Sequence, residues 1–284
     1  MKKLNNLLDE INDNVKRALA EDIGAGDLTA ALIPQDKELN ALVISRENAV
    51  LCGMQWFETC FLTLAPQTTI DWLARDGDYV QAGQQLCTIQ GPARALLTAE
   101  RSALNFLQML SAIATHTKRF TDAIAGTKAH IVDTRKTLPG LRLAQKYAVT
   151  CGSGVNHRIG LYDGILIKEN HIIAAGGIKP ALMKAQEIAP PEVFIQIEVE
   201  SLQELHEALT AGATMVLLDN FTLSQLRDAV ALILQRSSER IVLEASGNIT
   251  LNNVRQIAET GVDRISVGGL TKNIQAIDLS MRFV

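Results

Sequence analysis

From about His130 onward, short apolar runs alternate with segments of helical pattern, and each run ends in polar or small residues. Buried parallel strands read as continuous apolar runs, and this repetition is typical of βα units. The pattern predicts a (β/α) barrel that is open or short of eight strands, with a doubly wound sheet as the second choice. No G-x-G-x-x-G sequence follows any run. The runs end 21 to 35 residues apart, at Asp133, Lys168, Glu198, Asp219, Ser246 and Gly268.

The first part of the chain has a different pattern of apolar and polar residues. Apolar residues between Leu4 and Leu19 recur at helical spacing, which predicts an amphipathic helix and not a signal peptide. Short β-like segments at 41–46, 69–73 and 85–90 are separated by turn residues and predict a small β-rich sandwich. A long helical pattern from Thr98 to about Ala125 carries few charges, so we expect it to be buried on most faces.

Composition excludes several classes of function. The chain has 284 residues, with 27 lysines and arginines against 31 aspartates and glutamates, so a broad basic surface for nucleic acid is absent. The longest uncharged stretch, residues 102–117, is too short and too polar to span a bilayer. The four cysteines form no C-x-x-C pair, which predicts buried thiols in a reducing compartment, and we expect a cytoplasmic protein.

Charged side chains of both signs follow the predicted strands, where the active sites of β/α barrels lie. The cations predict a binding site for an anionic substrate, since arginine binds carboxylate or phosphate. The paired carboxylates predict that a second substrate binds beside it through Mg²⁺. Glycine-rich turns after the last two runs predict a phosphate cradle. The cations are Arg135, Lys136, His157, Arg158 and Lys168, the acids are Glu198, Asp219 and Glu200, and the turns are 246–248 and 268–269.

Other interpretations of these residues stay open at this point. Arg135 and Lys136 also fit a solvated pair at the start of a helix, and His157 fits loop packing as well as ligand contact. His171 fits a helix cap. Arg101, on an otherwise apolar helix, either forms a local ion pair near Glu100 or projects into a site across an interface.

Several strings in the chain closely resemble the quinolinate phosphoribosyltransferase family, and the likeness runs from about Glu21 to Phe283. The most specific is 133–142 (DTRKTLPGLR). The others are 156–158 (NHR), 167–172 (IKENHI), 196–200 (QIEVE), 218–221 (LDNF), 245–248 (ASGN) and 266–268 (SVG).

The resemblance implies a type II phosphoribosyltransferase fold. In that fold an N-terminal α/β sandwich, here residues 1–112, precedes an open seven-stranded α/β barrel, here residues 113–270, and we expect the tail at 271–284 to pack back on the sandwich. The resemblance also implies a homodimer in which Arg101 reaches the partner's site, and it leaves dimer and hexamer open. No nucleic-acid or membrane partner is expected.

The resemblance further implies a role for each candidate residue. The activity would be phosphoribosyl transfer from phosphoribosyl pyrophosphate to quinolinate with decarboxylation, using Mg²⁺ and no organic cofactor. Asn248 departs from the pattern, because some family members have a second glycine there. Quinolinate would contact Arg135, His157, Arg158 and Lys168. The donor and Mg²⁺ would contact the catalytic residues Lys136, Glu198 and Asp219. The 5′-phosphate would contact Ser246, Gly247, Asn248, Gly268 and Gly269, and the other expected substrate-binding residues are Thr134 and Val267.

Three competing functions have distinct requirements. A sister phosphoribosyltransferase acting on nicotinate or a related substrate would not need so many cations. A lyase or aldolase would need Lys168 as a desolvated Schiff-base amine. If the barrel were a non-enzymatic binding module, the two carboxylates Glu198 and Asp219 would have no function.

Overall fold

A computed structural model describes residues 7–235 and 240–284. The helices are α1 (Leu7–Ile23), α2 (Met54–Leu64), α3 (Ala93–Ala123), α4 (Arg142–Cys151), α5 (Glu169–Ala175), α6 (Ile178–Ile188), α7 (Leu202–Thr210), α8 (Leu223–Leu234), α9 (Val254–Ala258) and α10 (Gly269–Lys272), with a 3₁₀ turn at Ala30–Leu32. The strands are β1 (Glu38–Ser45), β2 (Ala49–Val50), β3 (Thr69–Trp72), β4 (Tyr79–Val80), β5 (Gln85–Pro92), β6 (His130–Val132), β7 (Gly164–Ile167), β8 (Phe194–Val199), β9 (Met215–Asp219), β10 (Val242–Ser246), β11 (Arg264–Ser266) and β12 (Leu279–Phe283).

The chain divides into two compact units. The first comprises Met1–Lys118, Thr137–Ser153 and Leu270–Val284, and the second comprises Arg119–Lys136 and Gly154–Gly269. This grouping differs from a continuous barrel domain at 113–270, because α4 lies in the first unit. There the Gly140 carbonyl just before α4 accepts a hydrogen bond from the Asn14 side chain on α1 (3.2 Å).

In the first unit, an antiparallel sheet has the strand order β12-β1-β5-β3, and β2 pairs with β4. Burial alternates along β1, so Ala41 and Val43 face the core. Phe57 on α2 packs edge-on against Trp72 of β3. The C-terminal strand β12 pairs with β1, which places the end of the chain in this sheet.

The two predicted helices of the first part are present. Helix α1 begins at Leu7 among the described residues, and the predicted start at Leu4 lies outside them. Helix α3 buries Leu96, Leu107 and Leu110, as its scarcity of charge predicted. No helix in the described ranges is both long and apolar enough to cross a membrane.

The second unit is built on a six-stranded parallel sheet in the order β6-β11-β10-β9-β8-β7. The predicted βα succession is therefore confirmed, although six strands are present where the resemblance implied seven. A single parallel bridge between Val132 and Val155 occupies the remaining position. Hydrogen bonding between this segment and β6 stops after Val155, because the backbone N–H of His157 donates to the Asp133 carboxylate (2.8 Å) and not to a neighbouring strand.

Candidate active site

The carboxyl ends of the six parallel strands surround one cavity of about 430 Å³, a size suited to a small-molecule ligand. Each of the six strands contributes lining residues, either from the strand itself or from the residues that follow it, so the sheet curves around the cavity. The lining residues are Thr134, Arg135, Lys136, His157, Arg158, Leu166, Lys168, Glu198, Leu217, Asp219, Glu244, Ser246 and Ser266. Nine predicted site residues are among them, which brings together positions separated by more than a hundred residues of sequence.

Two guanidinium groups share one wall of this cavity. Arg158 is 8% exposed and donates from Nη1 to the Gly164 carbonyl (2.9 Å). Burial, together with the charge of Arg135, lowers the pKa of Arg158. The Nε atom of Arg135 is buried and has no hydrogen-bond partner in the described part of the chain. This wall is therefore short of negative charge and suits an anionic ligand.

Lys168 stands at the amino end of α5, directly after β7. Its Nζ lies 2.9 Å from Glu198 Oε2, and its side chain is half exposed. The Lys168 N–H donates to His171 Nδ1 (2.9 Å), which confirms that His171 caps this helix. An exposed lysine paired with a carboxylate is not the desolvated amine that Schiff-base chemistry requires.

Lys136 follows β6 and runs past Gly268 at the end of β11. A Cβ atom added to Gly268 would stand 3.1 Å from Lys136 Cδ, so glycine leaves room for the lysine. The Lys136 N–H donates to Thr134 Oγ1 (3.1 Å), which shapes this turn. A lysine held here can act as a point charge on phosphate.

Carboxylates gather on the other side of the cavity. Glu198 and Asp219 line it, and Glu200 lies nearby at the end of β8. The pKa of Glu200 is raised, first by the charge of Glu169 and then by smaller effects that include Asp219 and Glu198. This mutual repulsion would be relieved by a cation.

The carboxylates do not form a closed metal cage. Within the described ranges, the one group of three potential metal ligands is Cys52, Asp76 and Cys151, which belongs to the first unit and not to the cavity. Two carboxylates without a third ligand fit Mg²⁺ that keeps its waters and is bound through substrate oxygens. Glu198 and Asp219 are the residues that would hold it.

A second cavity of about 350 Å³ shares Ser246 with the first and is formed by the turns after β9 and β10. Gly247 has φ +101°, and a Cβ atom there would collide with the Asn220 side chain. Asn248 has φ +49°, in the left-handed region that glycine favours. The turn places Gly247 and Asn248 beside the main cavity and not on its wall.

The remaining predicted residues are not among those that line the cavity. Val267, Gly268 and Gly269 follow β11 but are not among the lining residues, and α10, which begins at Gly269, has only four residues. Arg101 is exposed on α3 and belongs to the first unit, whereas every lining residue belongs to the second.

Sequence reasoning missed the buried polar residues beneath the cations. Gln196, Glu244 and Ser266 are fully or almost fully buried, and Glu244 and Ser266 line the cavity. A signal was available, because Gln196 interrupts an apolar strand run and a polar side chain in a barrel interior needs a partner. Their partners could not be read from the sequence.

Comparison with known proteins decides the family. Residues 27–111 match the family model described as quinolinate phosphoribosyl transferase, N-terminal domain, and residues 113–282 match the corresponding C-terminal domain. The chain belongs to the quinolinate phosphoribosyltransferase family. The resemblance noted in the sequence is thereby confirmed, and so is the α/β fold class.

Individual members of the family match over nearly the whole chain. A Mycobacterium leprae protein named nicotinate-nucleotide pyrophosphorylase [carboxylating] is 42% identical over 283 residues, covering 96% of this chain and 97% of that protein. A probable enzyme of the same name from Bacillus subtilis is 40% identical, covering 92% and 89%. The solved structure of nicotinate-nucleotide pyrophosphorylase from Francisella tularensis is 44% identical, with a TM-score of 0.95 and full coverage of both chains.

Proposed function

We propose that this chain is a nicotinate-nucleotide pyrophosphorylase (carboxylating). It transfers the phosphoribosyl group of phosphoribosyl pyrophosphate to quinolinate and releases nicotinate mononucleotide, pyrophosphate and CO₂, in de novo NAD biosynthesis. The observation that carries the proposal is the pair Arg135 and Arg158, a buried cationic wall in which Arg135 has an unsatisfied Nε. Relatives that carry this enzyme's name support it.

Quinolinate carries two adjacent carboxylates on a pyridine ring, and the cationic wall matches that charge. Arg135 and Arg158 would each bind a carboxylate, with Lys168 at the rim held by Glu198. Charge-assisted hydrogen bonds contribute about 1.5–3 kcal/mol each, which favours the dianion over monoacids such as nicotinate. Bound in this way, the ring nitrogen would face C1 of the ribosyl donor.

The donor would occupy the other half of the cavity and the adjacent turns. Lys136 would steady the pyrophosphate, while backbone N–H groups at Ser246–Asn248 and around Gly268 would bind the 5′-phosphate. As pyrophosphate leaves, positive charge develops on the ribose, and Glu198 and Asp219, which line the cavity, would stabilise it. Magnesium, bound with the donor, would neutralise the leaving pyrophosphate.

Decarboxylation requires an electron sink, and the substrate supplies its own. Once the ring nitrogen bonds to C1 of the ribose it is cationic, so it stabilises the electron pair left on C2 when the neighbouring carboxylate departs as CO₂, and C2 then takes up a proton from solvent. The proposal therefore includes no organic cofactor.

The proposal extends to assembly and location. Burial raises the pKa of the Glu100 carboxyl, and the charge of the neighbouring Arg101, which is exposed on α3, opposes that rise. Arg101 would also reach the partner's site across a homodimer interface. All four cysteines are free and three are buried, which supports a reducing cytoplasm.

The test is to mix the purified protein with quinolinate, phosphoribosyl pyrophosphate and Mg²⁺ and to measure pyrophosphate and CO₂ together. We expect equal release of both, dependent on quinolinate, absent with nicotinate, and lost when EDTA removes Mg²⁺. Pyrophosphate without CO₂, or activity only with another acceptor, would contradict the proposal and indicate a sister transferase. Release of neither product would indicate a binding module.

A further inference from the structure

A layer of buried polar side chains underlies the cationic wall, and Glu244 is its centre. Glu244 is fully buried on β10, and its Oε2 lies 2.8 Å from Arg264 Nε on β11. Its Oε1 accepts a hydrogen bond from Ser266 and lies 3.6 Å from His157 Nε2. A buried carboxylate is costly unless it is paired, and Arg264 places a positive charge beside Glu244, although the two atoms do not meet hydrogen-bond geometry.

The contacts of His157 define its protonation state. The Arg158 N–H donates to His157 Nδ1 (2.7 Å), so Nδ1 presents a lone pair and carries no proton. The other nitrogen, Nε2, lies 2.8 Å from Gln196 Oε1, which is an acceptor for an Nε2–H. These contacts match a neutral ring with its proton on Nε2, and both ring nitrogens have partners within the second unit.

Glu244 favours that same tautomer. A carboxylate oxygen 3.6 Å from Nε2 stabilises a proton on Nε2 over a proton on Nδ1, because the N–H dipole then points toward negative charge. Phe194 packs edge-on against the imidazole and restricts its rotation (ring centroids 5.5 Å apart). The ring is thus fixed by one acceptor, one nearby charge and one aromatic contact.

The fixed ring in turn fixes Arg158. The His157 Nδ1 atom holds the Arg158 peptide from one side, and the Gly164 carbonyl holds its guanidinium from the other. A proton on Nδ1 would confront the Arg158 N–H and force this peptide to move. Arg158 therefore reaches the cavity only while His157 keeps the Nε2–H form.

We propose that Glu244 and Gln196 are positioning residues that hold His157 as the neutral Nε2–H tautomer and so set Arg158 for the second carboxylate of the acceptor. The identity of that acceptor rests on the proposed function. With a neutral His157, Arg135 and Arg158 supply two charged donors of this wall, one for each carboxylate of a dianion. Asp163, which is not among the lining residues, favours the charged form of Arg158.

The first test reads the tautomer directly and needs no turnover. In the ligand-free protein, the ring ¹⁵N resonances of His157 are assigned by their absence from His157→Asn, since the chain has only five histidines. We expect a pyridine-type Nδ1 and a pyrrole-type Nε2, with the pattern shifting toward a mixture of tautomers in Glu244→Gln. A doubly protonated ring, an Nδ1–H tautomer, or a pattern unchanged in Glu244→Gln would overturn the proposal.

The second test separates the two substrates. Glu244→Gln is expected to raise the quinolinate KM roughly 10- to 100-fold while the phosphoribosyl pyrophosphate KM changes by no more than about twofold. Glu259→Gln, the same change at an exposed ion pair with Arg255, is the matched control and leaves both KM values unchanged. Equal weakening of both substrates, or no effect on quinolinate, would contradict a positioning role.

Gln196→Met provides a second variant in case Glu244→Gln does not fold. It removes the Oε1 acceptor with little change in volume, and it should produce the same KM difference and the same tautomer shift. If the wild-type protein did not turn over quinolinate, the proposed function would fail, and the ¹⁵N pattern would still decide whether the positioning network exists.

Discussion

At the scale of single residues, Arg135 shows most directly what the cavity is built to bind. Its buried Nε lacks a partner in the described ranges, and an unsatisfied buried donor costs about 1–3 kcal/mol or more when charged. The fold retains this cost at a position that lines the cavity beside a second arginine. A ligand carboxylate would satisfy the donor, so the unfavourable feature of the free protein becomes binding energy in the complex.

Arg135→Ala is expected to lower kcat/KM for quinolinate by at least about 100-fold, because it removes charge-assisted hydrogen bonds to one carboxylate. Steady-state kinetics with quinolinate varied at saturating donor would measure this. Arg255→Ala is the control, since Arg255 is an exposed arginine of the same unit that pairs with Glu259 (2.6 Å). Near-normal kcat/KM in Arg135→Ala would refute the assignment of this wall to quinolinate.

The sequence was enough to name the cationic residues and, through the resemblance, to expect a substrate role for each, but it did not show their contacts. The string 133–142 and the strand-end position were enough to single out Arg135 and Lys136. The contacts of His157 could not be predicted, because Gln196 and Glu244 lie 39 and 87 residues further along the chain and meet it only in the folded barrel.

At the scale of elements, the turn between β10 and α9 depends on backbone conformations that most residues avoid. Gly247 and Asn248 both have positive φ, and the facing Asn220 does too. The Asn220 N–H donates to the Ser246 carbonyl (2.9 Å), so the turns after β9 and β10 support each other. This support shapes the surface assigned to the donor's phosphate.

Gly247→Ala is expected to raise the KM for phosphoribosyl pyrophosphate at least about tenfold, since it combines backbone strain with a clash against Asn220. Gly212→Ala is the matched control, because Gly212 also has positive φ (+87°) but its nearest neighbour beyond the turn is 3.8 Å away. Kinetics and thermal unfolding of both variants would separate the effects. We expect Gly212→Ala to lower Tm and leave the KM unchanged; a donor KM that rose equally in both variants would indicate general destabilisation.

The order of elements and the six parallel strands were predictable from the apolar runs, whereas the seventh strand implied by the resemblance is not present in the described part of the sheet. Each apolar run became a parallel strand, because a buried βα unit needs an apolar run of that length. The segment at Val155 is reduced to one bridge, since the Asp133 carboxylate captures the next inward N–H. A side chain that competes with the sheet for one backbone N–H leaves no periodic pattern in the sequence, so the loss of this strand could not be predicted.

At the scale of the whole molecule, the proposed homodimer would divide each active site between two chains. Every residue that lines the main cavity belongs to the second unit, whereas Arg101 is an exposed residue of the first. In a two-fold symmetric dimer, each chain would provide one cavity and donate one Arg101.

Mixing two inactive variants tests this division. Arg101→Ala and Lys136→Ala should each be nearly inactive alone, but a heterodimer would contain one intact site, formed by Lys136 of one chain and Arg101 of the other. After unfolding and refolding of an equal mixture, we expect activity to recover to about a quarter of the wild-type value, from random pairing of chains.

Two measurements control the mixing experiment. Arg101→Ala refolded with itself should stay inactive, and sedimentation should show the same assembly for both variants and the wild type. A mixture that remained as inactive as its components, with hybrid assemblies present, would show that Arg101 acts within its own chain or not at all.

The sequence by itself determined the family, the succession of βα units and the set of charged residues that meet at one end of the barrel. It could do so because the carboxyl ends of parallel strands lie on one edge of a sheet, so position in the repeat predicts position in space. Tertiary structure alone decided with which strand the expected C-terminal tail pairs, that α4 belongs to the first unit, and that Glu244 and Gln196 contact His157. Those features are pairings between distant segments, which depend on geometry and the satisfaction of buried polar groups and leave no local pattern in the chain.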